Sequence, residues 1–463
     1  MIEGIDVFLA SYAVPLAQYV TGNNAWRSSS TVGSVIAAQA LWKAGGWVRR
    51  IISILCVINA IVCSIYVARA SILGGEGYEA IALALFASAL SSQCAHWREL
   101  QLSDAERAVI IPTLVFAAAD ILNISLHAAA VVEATDTTRG SADEDADAAR
   151  AFAGASALCA LCTAFALAMG ARERLSAEVR TALVGGLAAV PAALAAQWLR
   201  PRVVGGEIAW ALRTAAAWPT LLLTWASAAS LLIFLPAGNS REATVALRKV
   251  YHIVVAAAVA LPLAASQTTR GPIAAALAGG VFALTITESF RALDGAPTSI
   301  RAALHDRVAR HSDARDARVF ILPHLYLIAG IATPLWLEGG RVNRGEESSR
   351  AILRVITAPL ALGIGDAAAA VIGLAARRRG ISLPWAFITG SGNRDAPGKT
   401  FVGSLAYVVT VTIVGRMCLG DVDEATIRAL FISALVGASV EVLVGDADNV
   451  VVPIYAWAAA ALA

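Results

Sequence analysis

The chain has 463 residues, of which 58% are hydrophobic and 15% charged, with a mean hydropathy of +0.67. A soluble domain carries about a quarter charged residues, so a soluble globular enzyme, a disordered chain and a secreted disulfide scaffold are excluded. The formal net charge is +2, which leaves no bulk field to recruit nucleic acid.

Positive charge rests on 33 Arg and only 3 Lys: Lys43, Lys249 and Lys399. In so arginine-rich a chain, a retained lysine points to chemistry that needs one. The six cysteines (56, 63, 94, 159, 162 and 418) all lie in or beside apolar runs and read as packing residues, the redox-like Cys159–Cys162 spacing included. The N-terminus has no basic stretch followed by an apolar core and a small-residue cleavage site, so a cleaved signal peptide is not expected.

About 20 apolar residues cross a bilayer as a helix. Residues 5–20 either span or lie flat, and 31–42 is too short to cross alone. Spans are then predicted at 51–73, 78–97, 108–132, 151–170, 181–199 and 214–236, and again at 250–266, 272–290, 319–338, 351–376, 401–420, 427–445 and 450–463. The expected fold is therefore all-α and polytopic, with about 13 transmembrane helices (13–15). No polar stretch is long enough to bury a soluble core of its own.

Alternating crossings sort the loops by charge. One side carries 43–50, 98–107, 171–180, 237–249, 291–318 and 377–400, and the last two hold ten arginines between them. The other side carries the acidic loop 133–150. The arginine-bearing side is expected to face the cytosol. The acidic run Asp143–Asp147 lacks the glycine and terminal glutamate of an EF-hand loop and reads as solvated chain.

Polar residues gather in the C-terminal half. Asp366 interrupts an apolar segment, flanked by Gly363, Gly365 and Gly373. It lies ~16 Å along a continuous helix from the cytosolic end. An unpaired carboxylate there costs at least ~2.5 kcal/mol, so it must be paired, metal-bound or beside water. Lys399 and Thr400 open the next span, where helix N–H groups, an ammonium and a hydroxyl suit a phosphate. The string Gly398-Lys399-Thr400 is not a Walker A loop, because Arg394 stands where that pattern needs glycine and no strand precedes it. On the same side lie Glu441 and Asp448-Asn449, Arg248-Lys249 with His252, and Asp313, Arg315 and Asp316 leading to His324 and Tyr326. Acids, a lysine and arginines around one face are what phosphoryl transfer requires.

Taken in order, these motifs resemble the dolichol kinases, of the CTP-dependent polyprenol kinase family. The likeness runs through roughly 245–456: Arg248-Lys249-x-Tyr251-His252, Asp313-x-Arg315-Asp316, His324-x-Tyr326-Leu-x-x-Gly330 with Pro334-x-Trp336, Gly363-x-Gly365-Asp366 to Gly373, Lys399-Thr400-Phe401-x-Gly403, Glu441, and Asp448-Asn449 to Pro453. The chain departs from the family pattern at Gly398, where a lysine is usual, and at Val402, where an acid is. The 374–398 connection is also long, and holds Ile381–Phe387.

The resemblance implies a multi-pass enzyme of the endoplasmic reticulum membrane with its active site facing the cytosol. It would transfer the γ-phosphate of CTP to dolichol, giving dolichyl phosphate for protein glycosylation. Its partners would be CTP, the polyprenol and membrane lipids, with Mg²⁺ or another divalent cation as cofactor. Residues 1–245 would form the lipid cavity or a supporting shell, and 246–463 the catalytic domain. The implied catalytic residues are Asp366, Asp316 and Arg315. Lys249, Gly365, Gly373, Lys399, Thr400, Gly403 and Asn449 would bind the nucleotide, and Asp366, Asp448 and Glu441 the metal. His252 and His324 are alternative bases. Competing expectations are a phytol, farnesol or diacylglycerol kinase, a phosphatidate cytidylyltransferase, or a secondary transporter. The last would need repeated halves, and no internal repeat is seen.

Overall fold

The computed structural model describes Leu9, Ala10, Tyr12, Ala13 and Leu16, then residues 241–265, 270–292, 302, 323–338, 349–381, 399–445 and 447–463. Outside the described residues lie the six expected spans between 51 and 236, most of the proposed 1–245 unit, and the arginine loop with Arg315 and Asp316. Among the described residues the structure is helical and holds no strand.

Eight α-helices form it: α1 (Arg241–Ala265), α2 (Arg270–Ala292), α3 (Pro323–Glu338), α4 (Ser349–Pro359), α5 (Asp366–Arg378), α6 (Phe401–Leu419), α7 (Glu424–Leu443) and α8 (Asp448–Leu462). Each overlaps one of the spans expected from hydropathy. Among the described residues, four stretches are long and apolar enough to cross a bilayer: Ala246–Ala265, Ser349–Arg378, Phe401–Leu419 and Glu424–Leu443. Helix α1 begins well before the expected span at 250. Hydropathy marks only the part that sits in hydrocarbon, whereas backbone hydrogen bonding carries the helix on through Arg248 and Lys249.

Helix α8 is the centre of the bundle. It packs on α7, α3 and α4, and its Val451, Ile454 and Trp457 are buried with Ile331, Ile356 and Leu353. Pro453 has no N–H, so the carbonyl of Asn449 loses its intrahelical partner. That carbonyl rests instead against Gly330 of α3, where a Cβ would collide with it and meet the Pro453 ring at 2.9 Å. Glycine at 330 is therefore required by close helix approach. At the far end of the bundle, Glu338 is fully buried. It accepts a hydrogen bond from Trp457 Nε1 at 3.1 Å and faces Arg354 Nε at 3.3 Å. One carboxylate thus ties α3, α4 and α8 together without leaving a bare charge in the apolar phase.

Helices α4 and α5 are one 30-residue span joined by a π segment, Leu360–Gly365. The cause lies in the sequence: Pro359 ends α4, lacks a donor and crowds the preceding turn. Downstream, the Asp366 N–H donates to the Ala361 carbonyl, five residues back. The extra residue in the turn shifts everything after it by about 100° around the axis.

Helices α6 and α7 have capped N-termini. Thr400 caps α6 by accepting from Gly403 N at 3.0 Å, and Asp423 caps α7 by accepting from Thr426 N at 3.0 Å. Glycines with positive φ follow α5 and α6: Gly380 (φ 67°) and Gly420 (φ 70°). On α6, Phe401, Leu405, Val409, Ile413 and Met417 are exposed at four-residue steps. Such an outward apolar stripe suits acyl chains.

Candidate functional site

The π segment sets Asp366 against α1. Lys249 and His252, three residues apart, lie on one face of α1. Both reach the same carboxylate oxygen: Lys249 Nζ is 2.5 Å and His252 Nδ1 3.1 Å from Asp366 Oδ2. The approach needs Gly363, since a Cβ there would collide with Ala256 and come 2.9 Å from the His252 carbonyl. Asp366 and His252 are both buried, at 8% and 7% exposure. Asp366 is therefore turned inward and paired, as an acid in an apolar span must be.

A second lysine–carboxylate pair stands beside the first. Lys399, just ahead of α6, lies 3.0 Å from Glu441 Oε1. Its Nζ also donates to the carbonyl of Glu441 and, at 3.0 Å, to that of Val444. Those carbonyls end α7, where the backbone has acceptors without helical partners. The ammonium thus caps one helix while neutralising a buried acid. Burial works against its charge, but the carboxylates of Glu441, Asp448 and Asp366 outweigh burial and hold Lys399 above the ordinary lysine range. Two of the three lysines in the chain therefore neutralise acids of the C-terminal helices.

Between the pairs lies Tyr407, which sequence reading did not single out. Its ring fills the space left by Gly365, where a Cβ would come within 2.5 Å of it. Its hydroxyl fills the space left by Gly437, where a Cβ would meet Oη at 2.5 Å. That buried hydroxyl has no hydrogen-bond partner among the described residues. Only the two glycines hinted at a bulky neighbour, and glycine spacing does not say which residue fills the gap.

The structure places the other expected nucleotide residues as follows. Gly373 and Gly403 sit where α5 crosses α6: a Cβ on Gly373 would be 2.7 Å from Thr400 Oγ1, and one on Gly403 2.7 Å from the Ala369 carbonyl. Thr400 is buried, and its hydroxyl accepts from the Gly403 N–H. Asn449 is buried at the start of α8, with its amide 3.5 Å from the Pro323 carbonyl, and so joins α8 to α3. The Asp448 carboxylate accepts from the Asn449 N–H at 2.8 Å. His324 opens α3 and stays apart from the Asp366 contacts.

Among the described residues, no three His, Cys, Asp or Glu groups come together to hold a metal ion. Mg²⁺ on a nucleotide usually takes one or two carboxylates, with phosphates and water completing its shell. Asp366 has no hydrogen bond at Oδ1 among the described residues. The donor set therefore fits a cation shared with a polyphosphate rather than one caged by protein alone.

The fold and site define a helical membrane protein with two lysine–carboxylate pairs, their acids buried and their lysines half-buried, at one end of the described helices. Over 181 residues, 39% of its length, the chain is 26% identical to dolichol kinase sec59 of Schizosaccharomyces pombe (strain 972 / ATCC 24843), of which the match covers 32%. The match thus spans about a third of that relative's length. No protein-family model matches the chain. No solved structure matches it either. The distant likeness supports the resemblance carried by the motifs.

Proposed function

We propose that the chain is a CTP-dependent dolichol kinase of the endoplasmic reticulum membrane, with its active site open to the cytosol. The observation that carries this reading is the inward-facing Asp366 with Lys249 and His252 on one oxygen, beside the Lys399–Glu441 pair. These are motif residues separated by up to 192 positions, from Lys249 to Glu441, yet they meet at one end of the bundle. The likeness to a dolichol kinase adds to it.

In this reading the triphosphate binds against the two lysines, the positive N-terminal end of α6, and Arg315. Each lysine already neutralises an acid, so the nucleotide enters a site where the cations are in place and oriented. A divalent cation, when bound, would neutralise phosphate charge, with Asp366, Glu441 and Asp448 as the residues to hold it. The polyprenol tail lies in the apolar phase and its hydroxyl reaches headgroup depth. The hydroxyl oxygen forms a bond to the γ-phosphorus of CTP. The bond from that phosphorus to the β–γ bridging oxygen breaks, and CDP leaves with the electron pair. The hydroxyl proton passes to a carboxylate, Asp366 or Asp316. Gly365, Gly373 and Gly403 contribute by letting α5, α6 and Tyr407 approach closely, which sets the spacing of the charged groups.

Purified protein supplied with dolichol and CTP tests the reading, with product followed by mass. One sample carries label at the γ-phosphate and another in the base. Dolichyl phosphate bearing only the γ-label is expected. Cytidine label in the lipid, or no phosphorylated dolichol, refutes the reading.

A further inference from the structure

Resting on the kinase reading and deepening it, we propose that His252 is a positioning residue: it fixes the plane of the Asp366 carboxylate so that Oδ1 is presented to the reacting groups. Lys249 and His252 share Oδ2, at 2.5 and 3.1 Å, and Oδ1 has no hydrogen bond among the described residues. The two partners do different work. An ammonium on a four-carbon stem supplies charge but little direction, because it satisfies an oxygen from many angles. A carboxylate held by it alone can still turn about its terminal torsion, which is broad. The imidazole is planar and short, and its own backbone is pressed onto the π segment at Gly363. A donor anchored in that way, on the same oxygen, removes the remaining rotation. His252 is 7% exposed, in keeping with a group that acts through its neighbour.

The test compares His252→Ala with His252→Asn in full-length protein, in dolichol-containing vesicles. The asparagine amide nitrogen occupies nearly the place of Nδ1 and can donate to Oδ2, but it cannot take up a proton. Misplacement of a reacting group costs about 10²-fold in rate. His252→Ala is therefore expected to lose about 10²-fold in kcat with the KM for CTP little changed, and His252→Asn to recover most of that loss. Thermal unfolding of each variant in detergent gives the folded fraction, so that kcat is expressed per folded molecule.

Wild-type kcat per folded molecule in His252→Ala overturns the proposal. Asparagine as inactive as alanine also overturns it, because the ring itself would then be doing the chemistry. A loss confined to KM overturns it as well. These outcomes leave the kinase reading standing when the wild type phosphorylates dolichol from CTP. A wild type that does not do so removes the reading, and the proposal with it.

Discussion

Tyr407 offers a quantitative test of the packing beneath the charged pairs. Its hydroxyl is buried, has no partner among the described residues, and touches the α-carbon side of Gly437. A buried unsatisfied hydroxyl costs about 1–3 kcal/mol, so Tyr407→Phe should stabilise the protein by about 1 kcal/mol or more. Gly437→Ala places a methyl 2.5 Å from Oη and 3.2 Å from two ring carbons. Overpacking of this kind costs about 1–3 kcal/mol, against about 1 kcal/mol gained from replacing helical glycine. With Oη gone, the nearest ring atoms stand at 3.2 Å, where a small shift suffices. The double variant should then be more stable than the sum of the singles by about 1–2 kcal/mol. Denaturant unfolding in mixed micelles measures all four proteins. Additivity within about 0.5 kcal/mol would refute the reasoning. So would a Tyr407→Phe variant destabilised by about 1 kcal/mol, the typical worth of a made hydrogen bond.

Three further outcomes are expected. Asp366→Asn should abolish CTP-dependent phosphorylation of dolichol while the protein still accumulates in membranes; full activity would remove Asp366 from the mechanism. Lys399→Ala should raise the KM for CTP and cost about 1–3 kcal/mol of stability, because Glu441 loses its partner while buried and water reaches the half-exposed lysine position. Lys399→Ala with Glu441→Gln should recover much of that stability in the same unfolding assay. At the cap of α7, the hydrogen bonds from Thr426 hold the Asp423 carboxyl below its ordinary range. A lowered folded pKa means the stabilisation is present above the unfolded value and is lost as pH falls through the folded one. Unfolding of the wild type between pH 5 and pH 2 should therefore contain a stability loss that Asp423→Asn, which keeps a capping oxygen, does not share.

The helices of the C-terminal half were legible because hydropathy is a local property. A helix in lipid must satisfy its own backbone, so an apolar run of sufficient length settles its own conformation. Asp366 and Glu441 were legible for the complementary reason: a charge inside such a run is costly enough to mark a specific role. Lys399 was legible by its place beside Thr400 just ahead of a span, where an ammonium and a helix start suit a phosphate. Lys249 stood out by its rarity. The charges at Glu338 and Arg354 were not singled out, since each lies near the end of an apolar run and reads locally as a boundary residue.

Pairing was beyond the reach of the sequence. Nothing near position 366 indicates that its acid meets Lys249 and His252, more than a hundred residues away, while Lys399 turns to the end of α7. That assignment depends on which helix faces cross. The crossings depend in turn on the π turn after Pro359 and on the gaps at Gly363, Gly365 and Gly437. Composition and hydropathy pattern alone determined that the described part of the chain is built of lipid-soluble helices and where its improbable charges fall. Tertiary structure decided which charges neutralise each other, because an ion pair in an apolar bundle forms only where two backbones come close enough for their side chains to meet.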